Sequence, residues 1–307
     1  MQLTVTSRIK TFIKKPKVLL IKFVQFLSPI FGDKCYIKLM FRLRAGYRLN
    51  LTNPQTFNEK LQWLKLYYRT PEQTKMVDKY AVKNYVNEKI GEAYTIATLG
   101  VWDSFDDIDF NLLPNKFVLK TTHDQGGVVV CSDKTTFNYA QAKTKLTYHL
   151  KRNFYLKFRE WPYKNVKPRI IAEEFIGDEK MDLKDYKFYC FNGKAKVLFI
   201  ASGRGGKQAN FDFYDIDFNH LDIKRPNTVQ SKEGNKIPEN YRKMVELAET
   251  LSDNFPHVRV DFYNLEGRIY FGELTFYTGS GMKPFYPKKW DYILGEYINL
   301  PDKKEMI

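Results

Sequence analysis

Apolar and polar positions near the C-terminal end of the chain follow the pattern of two short strands joined by a turn. β-Branched and aromatic residues dominate 258–263 and 268–271, and turn-forming residues fill 264–267 between them. Asp261 lies in the first strand among apolar neighbours, and Glu273 lies just past the second. Carboxylates in a strand core are costly unless they are paired, protonated or bound to a cation. The pattern therefore predicts either a cation site or two exposed acids paired with surface arginines.

Elsewhere the spacing of apolar positions predicts helices first and mixed strands and helices afterwards. Helical periodicity extends over residues 56–68, 71–90, 138–158 and 240–255. Strand-like alternation or short apolar runs occupy residues 116–120, 128–131, 169–176, 185–191, 194–201 and 211–218. Asn192 and Gly193 form a strong short-range signal for a hairpin turn. This order of elements, with several antiparallel hairpins, predicts an α+β fold.

The segment between the strands 116–120 and 128–131 has the form of a flexible loop that closes over an anion. Lys120 ends the first strand, and Gly126 and Gly127 precede the second. Backbone amides of such a loop, together with a strand lysine, can face a bound phosphate. The segment lacks the GxxxxGK[ST] pattern, so it is not a P-loop. A plain hairpin with a solvated lysine is the alternative interpretation.

Polar residues occur inside two of the predicted strands. Glu173 and Glu174 lie at the apolar end of one strand, where a plain strand would carry apolar residues. Asp185, Lys187 and Tyr189 alternate along another strand and therefore share one face. A polar face on an otherwise apolar sheet is either exposed to solvent or part of a site.

Two loop residues are candidates for substrate binding. Arg204 lies in a basic, glycine-flanked loop and can bind a carboxylate bidentately, with a plain surface arginine as the alternative. His123 precedes the Gly126–Gly127 pair and can contact substrate or simply hydrogen-bond within its loop.

Composition restricts the class of protein and of partner. The 307 residues are 43% hydrophobic and 16% aromatic, which is ample for a globular core. The net charge of +15 implies an anionic partner, such as nucleic acid, anionic lipid, nucleotide or acidic glycan. Three scattered cysteines without a CxxC fit a reducing compartment and argue against both a disulfide framework and a cysteine-rich zinc site. The four histidines have no HxxxH spacing, which argues against a zinc enzyme.

The N-terminal segment mixes lysines with an apolar run. Lys22 interrupts the run, no small-residue cleavage site follows, and the run is too short to span a bilayer. Residues 8–31 therefore predict either a helix on an anionic membrane surface or a helix packed on the protein's own core.

We divide the chain into four regions. Residues 1–50 form a basic helical segment, residues 51–115 form a helical region, and residues 116–176 and 177–307 form two regions of mixed strands and helices.

Several of these stretches together resemble the TupA-like ATP-grasp family, which is named for teichuronopeptide biosynthesis. The resemblance rests on residues 54–60, 78–82, 99–102, 159–163, 185–188 and 270–276, which occur in the family's order. It implies an ATP-grasp fold, in which two α+β subdomains clamp ATP, preceded by a helical N-terminal region.

The resemblance also implies roles for individual residues. It implies an ATP site formed by Lys79, Lys120, Gly126, Gly127, Glu173, Glu174, Phe175, Ile176 and Asp185. It implies Mg²⁺, with two ions expected, bound by Asp261, Glu273 and Thr275. Thr275 stands where many ATP-grasp enzymes have asparagine. The catalytic side chains that we expect are those of Arg259, Lys187 and Arg204.

The implied activity is an ATP-dependent carboxylate–amine ligase that works through an acyl phosphate. The substrates that we expect are a uronic acid or other carboxylate and an amine, in bacterial cell-surface polysaccharide biosynthesis, without nucleic acid. The expected location is the cytoplasm, with contact to the inner face of the membrane left open. Two alternatives remain: a metal-dependent glycosyltransferase, suggested by the DxD pairs at 107–109 and 215–217, and a non-catalytic anion- or membrane-binding protein.

Overall fold

The computed structural model describes residues 16–177, 183–203, 209–226 and 228–302. The helices are α1 Pro16–Phe26, α2 Asp33–Ala45, α3 Phe57–Tyr67, α4 Pro71–Val77, α5 Val82–Ile90, α6 Tyr139–Leu150, α7 Tyr155–Phe158, α8 Tyr241–Ser252 and α9 Lys289–Glu296. The strands are β1 Thr98–Trp102, β2 Phe117–Thr121, β3 Val128–Cys131, β4 Ile170–Glu174, β5 Asp185–Phe191, β6 Lys194–Ser202, β7 Asn210–Asp215, β8 His220–Leu221, β9 His257–Leu265 and β10 Arg268–Thr275. The expectation of an α+β fold is confirmed.

The strands form two antiparallel sheets that follow one another along the chain. The first sheet has the order β1-β4-β2-β3, and the second has the order β10-β9-β5-β6-β7-β8. The first sheet has a small core of its own, in which alternate β2 residues Phe117 and Leu119 pack with Leu146 of α6. Because side chains alternate along a strand, Lys120 lies on the opposite face of that sheet.

Two tight hairpins build the centre of the second sheet. The predicted turn at Asn192 and Gly193 joins β5 to β6, and both residues have positive φ, as a type I′ turn requires. The turn between β9 and β10 consists of Glu266 and Gly267 alone, with φ of 50° and 84°. It is shorter than predicted because Asn264 pairs with the facing strand as part of β9. The apolar side of α8 covers one face of this sheet.

The helix predicted over residues 71–90 is two helices, α4 and α5. Asp78 ends the first with an extended ψ of 115°. Its carboxylate accepts a hydrogen bond from the backbone N–H of Tyr80 at 2.9 Å and pairs with Arg169 at 2.8 Å, so the side chain competes with the helix. The break turns Lys79 toward the first sheet, where its N–H donates to the carbonyl of Thr122.

The helix predicted over residues 138–158 is likewise divided, into α6 and α7. The side-chain oxygen of Asn153 accepts from the N–H of Tyr155 at 3.1 Å in a turn just before the second, one-turn helix. In the N-terminal region α3 begins with a capping box formed by Thr56 and Glu59. None of the helices in the described part of the chain is long and apolar enough to cross a membrane. All three cysteines are free.

Candidate active site

The most concentrated charge in the second sheet lies on adjacent positions of β9 and β10. The guanidinium of Arg259 donates to both carboxylate oxygens of Asp261, at 2.6 and 2.7 Å. It also donates to Glu273 at 2.8 Å and to the hydroxyl of Thr275 at 3.0 Å. That hydroxyl donates in turn to Glu273 at 3.0 Å. The structure therefore brings together the three residues predicted as metal ligands and the arginine predicted to face the transferred phosphoryl group.

A β-bulge explains how Glu273 joins this group. Phe271 lies opposite Phe262, and Glu273 lies opposite Asp261, so Gly272 is an extra residue in β10. Without the bulge, Phe271 and Glu273 would point to the same face, because they are two positions apart. With it, Phe271 is buried in the core and Glu273 joins Asp261 on the other face. Glu273 is thus part of β10 rather than just past its end.

Strand β5 adds a second cation to the same face. Lys187 is paired with Asp261 and lies 3.6 Å from the carboxylate of Asp185. All three side chains are buried. We call Asp185, Lys187, Arg259, Asp261, Glu273 and Thr275 the second-sheet cluster. Burial alone would raise the pKa of Asp261, but Arg259 and Lys187 outweigh burial and hold that pKa below its usual value.

The oxygen atoms of the second-sheet cluster fit a magnesium ion that is shared with phosphate. Mg²⁺ prefers oxygen ligands and is usually bound by one or two carboxylates together with substrate phosphates. Asp261 and Glu273 supply two carboxylates, and Thr275 supplies a hydroxyl. The described residues contain no group of three or more histidine, cysteine, aspartate or glutamate side chains suited to a metal held by protein alone. Glu273 is 41% exposed and is the accessible carboxylate of the set.

The first sheet carries a second cluster, which is rich in lysine. Glu173 on β4 accepts from Lys120 on β2 at 2.5 Å and pairs with Lys83 on α5 at 2.6 Å. Burial would raise the pKa of Glu173, but the two lysines lower it overall. We call Lys79, Lys83, Lys120 and Glu173 the first-sheet cluster. Lys83 was not predicted, although it lies four positions after Lys79, a spacing that places both on one face of the helix predicted over residues 71–90.

Lys79 connects the first-sheet cluster to the loop that follows β2. Its ammonium donates to the carbonyl oxygens of Thr121 at 3.0 Å and of Asp124 at 2.5 Å. Burial lowers the pKa of Lys79, and the carboxylates of Glu273 and Asp124 oppose that shift. Glu273 belongs to the second-sheet cluster, and it lines the same small cavity as Lys79.

The glycine-containing loop is held from within by one buried aspartate. Asp124 accepts from the hydroxyl of Thr121 and pairs with the imidazole of His149. A β-carbon at Gly127 would lie 1.9 Å from that hydroxyl, and Gly126 has a φ of 96°. The two glycines therefore allow a compact loop at this place. Their predicted contact with the phosphates of ATP stays a prediction.

The two clusters face each other across a narrow gap beside Gly272. One part of the gap, about 20 Å³ in volume, is lined by Lys79, Lys83, Lys120 and Glu173 and, from the second sheet, by Phe271 and Gly272. A neighbouring part of about 10 Å³ lies between Lys79, Tyr163 and Glu273. Ligand pockets usually measure about 300–1,000 Å³. A nucleotide therefore enters only if the sheets separate or these side chains move.

Of the remaining predicted residues, those that the structure describes do not line this gap. Glu174 is exposed, and Phe175 and Ile176 follow β4 in the segment that leads to the second sheet. Arg204 lies outside the described residues. The Nε2 atom of His123 is 3.0 Å from the carbonyl oxygen of Arg152, which agrees with the simpler interpretation of this residue.

A buried lysine next to the site escaped prediction from the sequence. Lys65 of α3 is fully buried and donates to the carbonyl oxygens of Phe158 at 3.0 Å and of Ser280 at 2.8 Å. The hydroxyl of Ser280 donates to Glu160 at 2.6 Å. Burial lowers the pKa of Lys65 to about 8. These contacts hold the turn that follows β10, and helical periodicity alone treats a lysine such as this one as exposed.

Asp107, Asp109 and Asp215 of the DxD pairs accept local backbone hydrogen bonds. The carboxylate of Asp215 accepts from the backbone N–H groups of Asp217 and Asn219 at 3.0 and 2.8 Å. Asp107 and Asp109 accept in the same way from backbone N–H groups two or three residues away. Local hydrogen bonds of this kind, with Asx turns at Asp109 and Asp215, account for Asp107, Asp109 and Asp215 without a metal.

Comparison with solved structures finds similarity to ligases. The chain resembles the D-alanine–D-alanine ligase of Helicobacter pylori with a TM-score of 0.41 and 17% identity, over 79% of this chain and 69% of that one. It resembles the ATP complex of the Bacillus anthracis D-alanine–D-alanine ligase with a TM-score of 0.36 and 15% identity, over 66% and 54%. It resembles the ADP complex of N5-carboxyaminoimidazole ribonucleotide synthetase with a TM-score of 0.39 and 17% identity, over 78% and 56%. The chain thus spans about half to two thirds of those proteins.

No curated protein matches the chain. The model of one protein family, described as TupA-like ATPgrasp, matches residues 59–299, which is well over half of the chain. The match includes both sheets and every described member of the two clusters. This chain therefore belongs to the TupA-like ATP-grasp family, and with it to the ATP-grasp ligase superfamily.

Proposed function

We propose that the protein joins a carboxylate to an amine at the expense of ATP, through an acyl phosphate. The observation that supports this proposal is the arrangement of two clusters of opposite character across one gap. The first-sheet cluster has three lysines and one carboxylate, whereas the second-sheet cluster has three carboxylates and two cations. The lysines complement the negative phosphates of ATP, and the carboxylates complement the metal that accompanies it.

In the first step the substrate carboxylate attacks the γ-phosphorus of ATP, and ADP leaves. Phosphoryl transfer depends on alignment and charge neutralisation rather than on a protein nucleophile. We assign the phosphate contacts to Lys79 and Lys120. Arg259 contacts Glu273, the accessible carboxylate of the site, and can exchange part of that contact for the transferred phosphoryl group.

Magnesium would be held by Asp261 and Glu273, with Thr275 as a third oxygen or as the residue that orients a bound water. When bound, the metal neutralises charge that develops on the phosphoryl oxygens. Lys187 keeps Asp261 ionised and in place, since its ammonium is paired with that buried carboxylate. We propose two ions, as in the family that the chain resembles.

In the second step the amine attacks the acyl carbon. A C–N bond forms, the C–O bond to phosphate breaks, and the amine loses a proton, so the products are an amide, ADP and phosphate.

We assign the contacts with adenine and ribose to Glu173–Ile176, because this segment continues from the first sheet toward the second beside Lys120.

An acidic sugar of a bacterial cell-surface polysaccharide is the carboxylate that we propose. The net charge of +15 favours an anionic substrate, and the family resemblance favours a uronic acid. We place the reaction in the cytoplasm, where ATP is available and free cysteines persist.

The decisive assay incubates the protein with ATP, Mg²⁺, a panel of uronic acids and a panel of amines, and measures ADP and phosphate. We expect ADP release that requires both organic substrates. Asp261→Asn should abolish it, whereas Asp217→Asn, on an exposed turn, should retain it. UDP release from a sugar nucleotide that Asp217→Asn abolishes would instead support a glycosyltransferase. The absence of both activities across the panels, together with retained binding of polyanions, would support a binding protein.

A further inference from the structure

Helix α1 exposes several large apolar side chains to solvent. Leu19, Phe23 and Phe26 recur at helical spacing and are 43%, 59% and 80% exposed. The opposite side of the helix faces the core through Val24, the buried residue of α1. Ile30, in the turn that follows, is 76% exposed. These residues leave a strip of large apolar side chains in contact with water.

Basic residues are frequent in the part of the chain that contains this strip. Residues 16–50 contain seven lysines and arginines and one acid, Asp33. Asp33 is already paired with Arg69 at 2.7 Å and with Arg159 at 3.1 Å. The surface presented by residues 16–50 is therefore cationic, and residues 1–15 add four further basic residues and no acid.

The basic residues of α2 line a groove on the outer side of that helix. Lys34, Lys38 and Arg42 follow one another at spacings of four residues and share its outward face. Together with Arg48 they line a groove of about 850 Å³, and the described residues around it include no acid. The groove lies apart from both charged clusters in sequence and in lining residues.

We propose that α1, the turn through Ile30 and the basic side of α2 form a surface that binds an anionic phospholipid bilayer. Helices that combine bulky apolar side chains with lysines and arginines lie in the plane of a membrane interface, with the apolar side in the acyl boundary. The cationic groups then face anionic headgroups, each contributing attraction near the surface. Of the two interpretations that the sequence left open for residues 8–31, the exposure of α1 supports the membrane; residues 8–15 lie outside the described chain.

The membrane-binding surface is joined firmly to the active site. The buried guanidinium of Arg159 donates to the carbonyl oxygens of Ser28 at 2.5 Å and Phe31 at 3.1 Å. The next residue, Glu160, accepts from Ser280 in the turn that follows β10. Binding of α1 to a bilayer would thus hold the catalytic gap near the membrane, where a lipid-linked or surface-bound carboxylate can reach it.

Vesicle co-sedimentation of the full chain tests the proposal. We expect at least about tenfold more binding to phosphatidylcholine–phosphatidylglycerol vesicles than to phosphatidylcholine alone. Raising NaCl from about 0.1 M to about 1 M, which shortens the Debye length from about 10 Å to about 3 Å, should remove most of that difference. Equal binding to both vesicles, or none to either, would overturn the proposal.

Matched variants separate this surface from the general charge of the protein. Phe23→Ser with Phe26→Ser should reduce vesicle binding at least about tenfold, whereas Leu112→Ser with Ile237→Ser, which are also exposed, should not. Lys34→Glu with Lys38→Glu should also reduce vesicle binding at least about tenfold. Lys232→Glu with Lys236→Glu, at exposed positions elsewhere, is the control for total charge and should not. If both pairs of charge reversals weaken binding equally, the attraction is non-specific and the proposed surface is wrong.

Two other occupants of the apolar strip give different results. A second copy of the chain would appear as a dimer in sedimentation equilibrium that Phe23→Ser with Phe26→Ser converts to monomer, with no vesicle binding by either. Residues 1–15 would cover the strip if vesicle binding appeared only after their deletion. Either outcome would overturn the proposal. None of these experiments measures ATP turnover, so their results test membrane binding even if the proposed ligase reaction is wrong.

Discussion

The two charged clusters differ in what holds them together. In the second-sheet cluster Arg259 and Asp261 lie two positions apart on one strand, with Lys187 opposite on the next, so three charges share one small patch of a sheet. In the first-sheet cluster Glu173 collects Lys120 from a neighbouring strand and Lys83 from a helix. The second-sheet cluster is nearly neutral, whereas the first-sheet cluster carries surplus positive charge at the gap. This difference fits the roles that we propose, in which the second-sheet cluster positions a metal and the first-sheet cluster attracts phosphate.

Removal of Arg259 should give the largest effect. Arg259→Gln leaves Asp261 with Lys187 as its charged partner and places Asp261 beside Glu273 without the guanidinium between them. Breaking a buried ion pair from one side costs about 3–5 kcal/mol, and loss of a group that stabilises the transition state costs about 10²–10³ in turnover. Chemical denaturation measures the loss of stability, and ADP release measures the loss of turnover. Arg268→Gln, at the exposed start of β10, is the control and should change neither by more than about a factor of two or 0.5 kcal/mol.

Should Arg259→Gln keep both its stability and its turnover, the second-sheet cluster would be neither a structural nor a catalytic centre. Loss of stability with unchanged turnover at a temperature where the variant is folded would make the arginine purely structural.

The lysines of the first-sheet cluster should act on ATP binding. Lys120→Gln should raise the KM for ATP about 10- to 100-fold, because it removes a positive charge from the phosphate side of the gap. Lys83→Gln should have a smaller effect, since Lys83 also donates to the carbonyl of Ile96 and to Thr98 and is less available to a ligand. Titration of ATP in the turnover assay measures both, with the exposed Lys116→Gln as control. A larger effect for Lys83 than for Lys120 would reverse these roles.

The elements that could be predicted from the sequence are those with local signals. Asn192 and Gly193 specify their turn through backbone conformation alone, and the alternation of Asp185 with Lys187 correctly predicts a polar face. Asp261 was recognised because a carboxylate within an apolar strand needs a partner.

Features that depend on contacts between distant residues could not be predicted. The bulge at Gly272 arises from strand register, and the pairing of Lys83 with Glu173 joins a helix to a strand far along the chain. The break at Asp78 depends on a partner, Arg169, that lies 91 positions away. Each of these features is settled by tertiary contacts, which override the local helical or strand pattern.

Acid should lower the stability of the protein through protonation of Glu173, and this part of the pH dependence should be absent in Glu173→Gln. Its lysine partners outweigh burial and hold the pKa of Glu173 below the ordinary 4.5, so its contribution to stability is complete above pH 4.5 and is lost as the pH falls through the lower, folded-state value. At pH 7 the Glu173→Gln variant should be less stable by about 1–3 kcal/mol. The difference from wild type should shrink as the pH falls below 4.5.

Urea unfolding at a series of pH values measures this difference, with Glu233→Gln as an exposed control. A difference that stays constant from neutral to acid pH would mean that the Glu173 carboxylate is not responsible.

The smallest change, one methyl group, tests whether the bulge positions the metal ligands. A β-carbon at Gly272 would lie 3.1 Å from the carbonyl oxygen of Asp261 and 3.4 Å from its β-carbon, so Gly272→Ala should displace Asp261 by a few tenths of an ångström. We expect turnover to fall about two- to tenfold, since small misplacements of catalytic groups are costly, with stability reduced by less than about 1 kcal/mol. Gly267→Ala is the matched control.

Gly267 has a φ of 84° in the turn of the same hairpin and has nothing within 4 Å of its β-carbon position. Alanine there costs about 1 kcal/mol or more of backbone strain but leaves the distances around Asp261 unchanged. Gly272→Ala should therefore reduce turnover more than stability, and Gly267→Ala should reduce stability more than turnover. If the two variants lose turnover in proportion to stability, the bulge holds the hairpin together without positioning Asp261 and Glu273 for catalysis.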